Sequence, residues 1–244
     1  MLENYWDKVK RYFWFSKAEL NGFVLTALVF AFIYSFDKWG VVEFDFLVGL
    51  RNFFLAVLLC GSALFVHHAG QRLMAIKIGM KAEHKVWWPG LVVALIMVLL
   101  SGGKVGIYAA SAVFISLLPQ HRLGGFRYEV NVGSLAKVAI AGPLFNVFLA
   151  TGVVLLKWFG VLPAFISDPV FTFNVYFVAW NLLPIPPLDG SRVIFHSRLI
   201  YIFFVSSILA YILLIFLFEW YSYITALIIG VVCWFLFYVF FERK

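Results

Sequence analysis

The side chains able to do chemistry in this chain are few and sit in otherwise apolar runs. His67, His68 and Gln71 share one run, Asn146 lies in a second, and Asn181 and Asp189 lie in a third. Asp189 stands near the end of NLLPIPPLDG, Asn181 to Gly190, as the single carboxylate of that uncharged stretch. A carboxylate in such surroundings is costly unless something binds it; otherwise it caps the segment that follows. Pro184, Pro186 and Pro187 remove backbone donors beside it, so the chain unwinds close to Asp189, and unwound backbone at membrane depth lines a polar cavity. In the run Ala141 to Asn146, Gly142 permits close helix approach, Pro143 frees a carbonyl, and Asn146 offers an amide to the interior. That pattern serves packing and kinking as readily as catalysis. The two histidines read either as side chains hydrogen-bonded within a bundle or as part of a site. Gln71 and Arg72 read as helix-end polarity, with Arg72 snorkelling to the headgroups.

The elements that must position these groups are membrane helices. With 64% hydrophobic and 13% charged residues and a mean hydropathy of +0.97, the chain has too little polar surface to cover a soluble globule. Runs of about 20 apolar residues are expected at 19–36, 52–77, 134–157, 169–187, 198–217 and 222–241, making six spans. The piece at 89–101 is too short for a full crossing and favours a re-entrant or interfacial element, and 105–132 reads as short strands and turns around Gly124 and Gly125. Residues 1–18 alternate aromatic and basic positions, as an interfacial helix or a flanking anchor does.

The net charge of +7 is distributed by loop, not gathered in a patch, which argues against nucleic-acid binding. Basic residues flank alternate loops: Lys8, Lys10 and Arg11; Arg72, Lys77 and Lys81; Arg122 and Arg127; Arg192 and Arg198. The positive-inside rule then places both termini in the cytoplasm with an even number of spans. The basic, aromatic N-terminus runs into a full-length first span without a small-residue cleavage site, so that span is expected to stay in place. Cys60 and Cys233 lie singly in apolar spans and suggest neither a disulfide nor a thiolate site. With this topology the histidines and Asp189 both fall toward the cytoplasmic side, where they can converge.

In its ordered motifs the chain resembles the site-2 protease family of intramembrane zinc metalloproteases, which place HExxH in one span, AGPxxN in the next core span and NxxPxPxLDG in the one after. Here these correspond to His67 through Gln71, Ala141 through Asn146 and Asn181 through Gly190, and the resemblance covers roughly residues 45–195. Trp88-Pro89-Gly90 and Ala109 to Val113 are similar to the family's re-entrant and strand insert. The resemblance implies an all-α polytopic membrane protein of about six transmembrane helices, with a three-helix core and a small re-entrant/β-strand insert at 88–132. The chain is one integral membrane domain, 1–244, ending in two helices over 196–244. It further implies metal ligands at His67, Gln71 and Asp189, a general base at the position of His68, and substrate contacts from Asn146, Asn181 and Pro186. The setting implied is a prokaryotic plasma membrane, with membrane lipids and transmembrane segments of single-span proteins as partners.

The departure from that pattern is His67-His68-Ala69-Gly70-Gln71 in place of HExxH. Starting the motif at His68 does not restore it. Of the usual zinc ligands only His67 and Asp189 remain, because a glutamine amide is a much weaker donor than imidazole. His68 points about 100° around the helix from His67. It can act as a base near neutral pH only after a metal is held, and loss of a general base removes a factor of roughly 100 to 10,000. The expectation is a site-2-protease-like protein with zinc weakly held or absent, which binds transmembrane segments without efficient cleavage. Two other readings stand beside it: an active zinc metalloendopeptidase with an altered metal site, and a small transporter or channel.

Overall fold

The computed structural model of the chain describes residues 2–40, 43–109, 111–117, 131–218 and 222–243. Helix α1 (Leu2–Tyr12) leads into α2 (Lys17–Ser35) through a capping box, in which the Ser16 N–H donates to the Glu19 carboxylate at 2.7 Å and the Glu19 N–H to Ser16 Oγ at 3.3 Å. Helix α3 (Phe46–Lys77) starts where Asp45 accepts the Val48 N–H at 3.0 Å. Strand β1 (Met80–Val86), helix α4 (Trp88–Leu100) and strand β2 (Ser111–Leu117) follow. The remaining helices are α5 (Val132–Trp158), α6 (Ala164–Asn181), α7 (Asp189–His196), α8 (Arg198–Phe218) and α9 (Tyr223–Phe237), the last continuing as a π-helical turn at Tyr238–Glu242.

The long helices lie between two ends of the bundle. At the sheet end, Gly22 of α2 lies against His84 and Val86 of β1, and Val138 of α5 packs with Met80 and Val113. The first residue of α8, Arg198, pairs there with Glu242 at the end of the π-helical turn, at 3.3 Å. At the far end, Asn52 of α3 donates to the Lys38 carbonyl, and Lys157 of α5 pairs with Asp168 of α6. Five helices, Lys17–Ser35, Phe46–Lys77, Val132–Trp158, Arg198–Phe218 and Tyr223–Glu242, are long and apolar enough to cross a membrane.

Helix α6 is not among those five. It begins earlier than the span expected at 169–187 and stops at Asn181, because the proline-rich run 182–188 is unwound as expected. Its Asn174 and Asn181 are buried, and it packs on α5 and α3. An interior helix of this kind needs no continuous apolar surface.

The short apolar piece forms one limb of a hairpin. β1 pairs antiparallel with β2 from Met80↔Leu117 to Val86↔Ser111, so the chain that leaves at Val86 returns to the same point at Ser111. Between them α4 runs down beside α2 until Gly103 meets Phe36 and Asp37, and the return limb is fixed where Trp180 Nε1 donates to the Gly106 carbonyl at 3.0 Å. Gly90 is required by this return, since a Cβ there would lie 2.4 Å from the Ala109 carbonyl. The expected insert, 88–132, therefore has its first strand upstream of that range, at Met80–Val86, hidden in a sequence rich in lysine. The turns expected around Gly124 and Gly125 lie outside the described residues.

Arg72 corrects one expectation. It does not snorkel outward but is 1% exposed, with its guanidinium paired to the buried Glu19 carboxylate. It also donates to the Phe13 and Trp14 carbonyls at 3.0 and 2.8 Å and lies over the Phe15 ring. Glu19 in turn accepts the His84 N–H of β1 at 3.0 Å. The aromatic N-terminal segment has folded over the end of α3 and supplies the acceptors that lipid headgroups would otherwise provide. Removing one member of a buried pair strands the other charge at a cost of about 3 kcal/mol or more. Arg72→Met should therefore lower the unfolding temperature of the detergent-purified protein sharply, and Arg72→Met combined with Glu19→Gln should recover most of the loss.

Candidate functional site

Asp189 opens α7 directly after the unwound run, yet it does not cap that helix; the residue before it, Leu188, makes no side-chain cap either. The carboxylate turns inward and is 5% exposed. His67 Nε2 lies 2.8 Å from its Oδ2, and Gln71 Nε2 donates to its Oδ1 at 2.8 Å. Both donors come from α3, one helical turn apart on one face. Arg192, a turn further along α7, places Nη1 3.8 Å from Oδ1 and donates through Nη2 to the Val113 carbonyl of β2. Close backbone approach makes this possible, since a Cβ at Gly190 would lie 2.0 Å from the Leu182 carbonyl.

Each donor is oriented by a partner behind it. Asn146 spends both amide hydrogens, on the Ala63 carbonyl at 3.0 Å and on Asn174 Oδ1 at 2.7 Å, which leaves its own oxygen as the acceptor for His67 Nδ1 at 2.8 Å. His67 Nδ1 is therefore the donor there, and one further proton, held by the His67–Asp189 pair, lies between Nε2 and Oδ2. Asn174 is held by its own donation to the Val170 carbonyl at 2.8 Å. On the other side, His68 Nδ1 stands 3.0 Å from Gln71 Oε1. With that oxygen occupied, the amide's N–H2 can only point at Asp189. The row crosses α3, α5, α6 and α7.

The glycine of AGPxxN has a specific task. A Cβ at Gly142 would come within 2.5 Å of His67 Nε2, so the imidazole lies flat against the α5 backbone in the space a methyl group would fill. The other face of the ring meets Phe177 edge-on at 5.0 Å.

The structure brings His67, His68, Gln71, Asn146 and Asp189 together and leaves two expected residues outside the row. Asn181 donates to the Phe177 carbonyl within its own helix at 2.8 Å, and Pro186 is exposed on the unwound run. Two contributors were missed by sequence reasoning. Asn174 could have been found, since it lies two turns before Asn181 on the same helix face. His84 could not, because it lies outside the apolar runs. Its ring sits 4.5 Å from those of both His68 and Phe23, buried, with no hydrogen-bond partner for either nitrogen among the described residues.

Fold and site together define a helical bundle of membrane-crossing dimensions whose polar groups converge on one buried histidine–aspartate contact. A protein of Methanocaldococcus jannaschii named "Putative zinc metalloprotease" is 29% identical over 185 residues, 75% of this chain and 86% of that one. No family model matches the chain, and no solved structure matches it. The similarity supports a metalloprotease-like protein, and the relative's name points to zinc.

The donor set here does not fit that metal. A zinc site takes three or four protein ligands from histidine, cysteine and carboxylates, and no group of three or more such residues among the described residues could hold an ion. At the position that would supply the second imidazole, Gln71 turns hydrogens toward the carboxylate and its oxygen toward His68.

Burial pushes the His84 imidazole down from 6.5 to about 4. A group depressed in the folded state is stabilising in its neutral form, and that stability is lost as pH falls from about 6.5 toward 4, where the unfolded chain takes up the proton first. The unfolding temperature should fall across this window, and His84→Phe should reduce the fall. Gly142→Ala should displace the His67 ring and lower the unfolding temperature, whereas Gly152→Ala, on the same helix with open space around it, should change it little.

Proposed function

We propose that the chain is a site-2-protease-like membrane protein that binds transmembrane segments of single-span proteins without cleaving them. The observation that carries this reading is the direct contact between His67 and Asp189, with Gln71 occupying the other carboxylate oxygen. In a zinc hydrolase those two side chains would be ligands, with an open position left for water. In this chain their donors and acceptors are spent on one another.

Support for a retained binding surface comes from the unwound run. Ile185 and Pro186 are exposed there, just before Asp189, on backbone in which three prolines have no N–H to donate. An extended segment of a partner helix can lie against such backbone and offer the donors it lacks. In this reading the surface faces the cytoplasm together with both termini, as the loop charges favour, and the setting is the prokaryotic plasma membrane that the family resemblance implies.

The test combines metal content with capture. Mass spectrometry of the detergent-purified protein should find zinc far below one equivalent, unchanged in Asp189→Ala; near-stoichiometric zinc that disappears with Asp189 would overturn the proposal. A photo-crosslinking residue at Ile185 should trap single-span membrane proteins at full length. The double substitution His68→Glu and Gln71→His should raise zinc toward one per chain and produce cleavage of the trapped proteins.

A further inference from the structure

A second site lies at the opposite end of the bundle. A pocket of about 570 Å³ opens between the end of α2, the first half of α3 and the first half of α6. Its walls are mainly aliphatic and aromatic, and Leu58 and Phe165 at its mouth are 72% and 79% exposed. Lys38 stands at the rim. Its ammonium lies 3.4 Å from the Tyr34 ring centroid, and among the described residues it forms no ion pair. Asn52 fixes the backbone there by donating to the Lys38 carbonyl at 2.7 Å. Ser62 and Val170 line its inner end, where Ser62 is exposed along the open side. Val170 accepts from Asn174, so that end borders the hydrogen-bonded row without containing any member of it.

The length narrows the choice of occupant. From Asn52 to Ser62 along α3 the pocket runs about 15 Å at 1.5 Å per residue, which is half of a hydrocarbon core of about 30 Å, or one leaflet. It is a groove open along its side, since Leu58, Ser62 and Phe165 are exposed. An acyl chain lying along α3 matches that length and the apolar lining. A cation that forms no close ion pair among the described residues, with Asp37 beside it in sequence, stands at one end of an apolar groove one leaflet long, and this matches a molecule with an anionic head and an apolar tail.

We propose that this pocket binds one anionic phospholipid of the leaflet opposite the His67–Asp189 centre, with its phosphate on Lys38 and an acyl chain running along α3 toward Ser62. The bound chain fills the gap between α3 and α6.

The test uses the full-length protein in nanodiscs of equimolar phosphatidylglycerol and phosphatidylcholine, followed by mild detergent transfer and native mass spectrometry. Wild type should retain about one phosphatidylglycerol per chain. Lys38→Glu should cut retention at least fivefold, Lys38→Arg should preserve it, and Ser62→Phe, which fills the inner end of the groove, should also lower it. Equal retention of the two lipids, or retention unaffected by both Lys38→Glu and Ser62→Phe, would overturn the proposal. A photo-crosslinker at Leu58 that captures a protein segment and no lipid would overturn it in favour of a peptide occupant. None of these readouts depends on metal binding or on the partners of the unwound run.

Discussion

A buried carboxylate with both oxygens satisfied is the constraint on which the core depends. Asp189 is taken out of water at the start of a short helix, and an ionised group in that position persists only where donors meet it. Two donors on one face of α3 meet it, so α7 has to lie against α3 at that level. Those donors are useful only if their rings and amides are held in orientation, which draws in Asn146 from α5 and Asn174 from α6. Four helices are thus registered against one another by polar contacts, while the aromatic cluster of Phe30, Phe173 and Phe177 supplies non-directional packing around them. In an apolar solvent, helix association gains little from the hydrophobic effect, and registration by hydrogen bonds and close small-residue contacts carries more of the load.

The same geometry gives the two departures from HExxH a common sense. A glutamine whose amide is free to turn could present either its oxygen or its nitrogen to a carboxylate, and only the nitrogen is favourable. His68, donating to that oxygen, removes the choice. The two side chains act as a unit in which one aims the other: the unit supplies a donor to Oδ1 of Asp189, and His67 meets Oδ2. The arrangement ties the centre together through hydrogen bonds among side chains of α3, α5, α6 and α7.

Much of this was legible in the residues. The apolar runs located the long helices, the three prolines located the unwound run, and the isolated Asp189 had to find a donor. The loop charges put His67 and Asp189 toward one side, where they could converge, and the fold is what shows them in contact. What could not be read was tertiary. Arg72 carries the pattern of a snorkelling side chain, and nothing local reveals that Glu19, more than fifty residues earlier, is folded over it. Strand β1 was hidden for a similar reason: MKAEHKV alternates, with Met80, Ala82 and His84 inward, but only Val86 is a strong strand former, and its strand character comes from pairing with β2. Asn181 belongs to a motif that suggests a role for its amide, but its donor goes to the carbonyl one turn back in its own helix.

Helix α6 has a consequence for how the molecule is made. Asp168 in its first turns, two buried asparagines and an internal proline leave it too polar to partition into lipid by hydropathy alone. Its acceptor for α5, Asn174 Oδ1, and the Lys157–Asp168 pair at the shared turn are both contacts with the preceding helix. In a chain made from its N-terminus, α5 precedes α6 and supplies polar partners at membrane depth that the hydropathy of α6 alone would not offset. Asp189 follows both, and it can reach the histidine on α3 only once the chain beyond Asn181 is present.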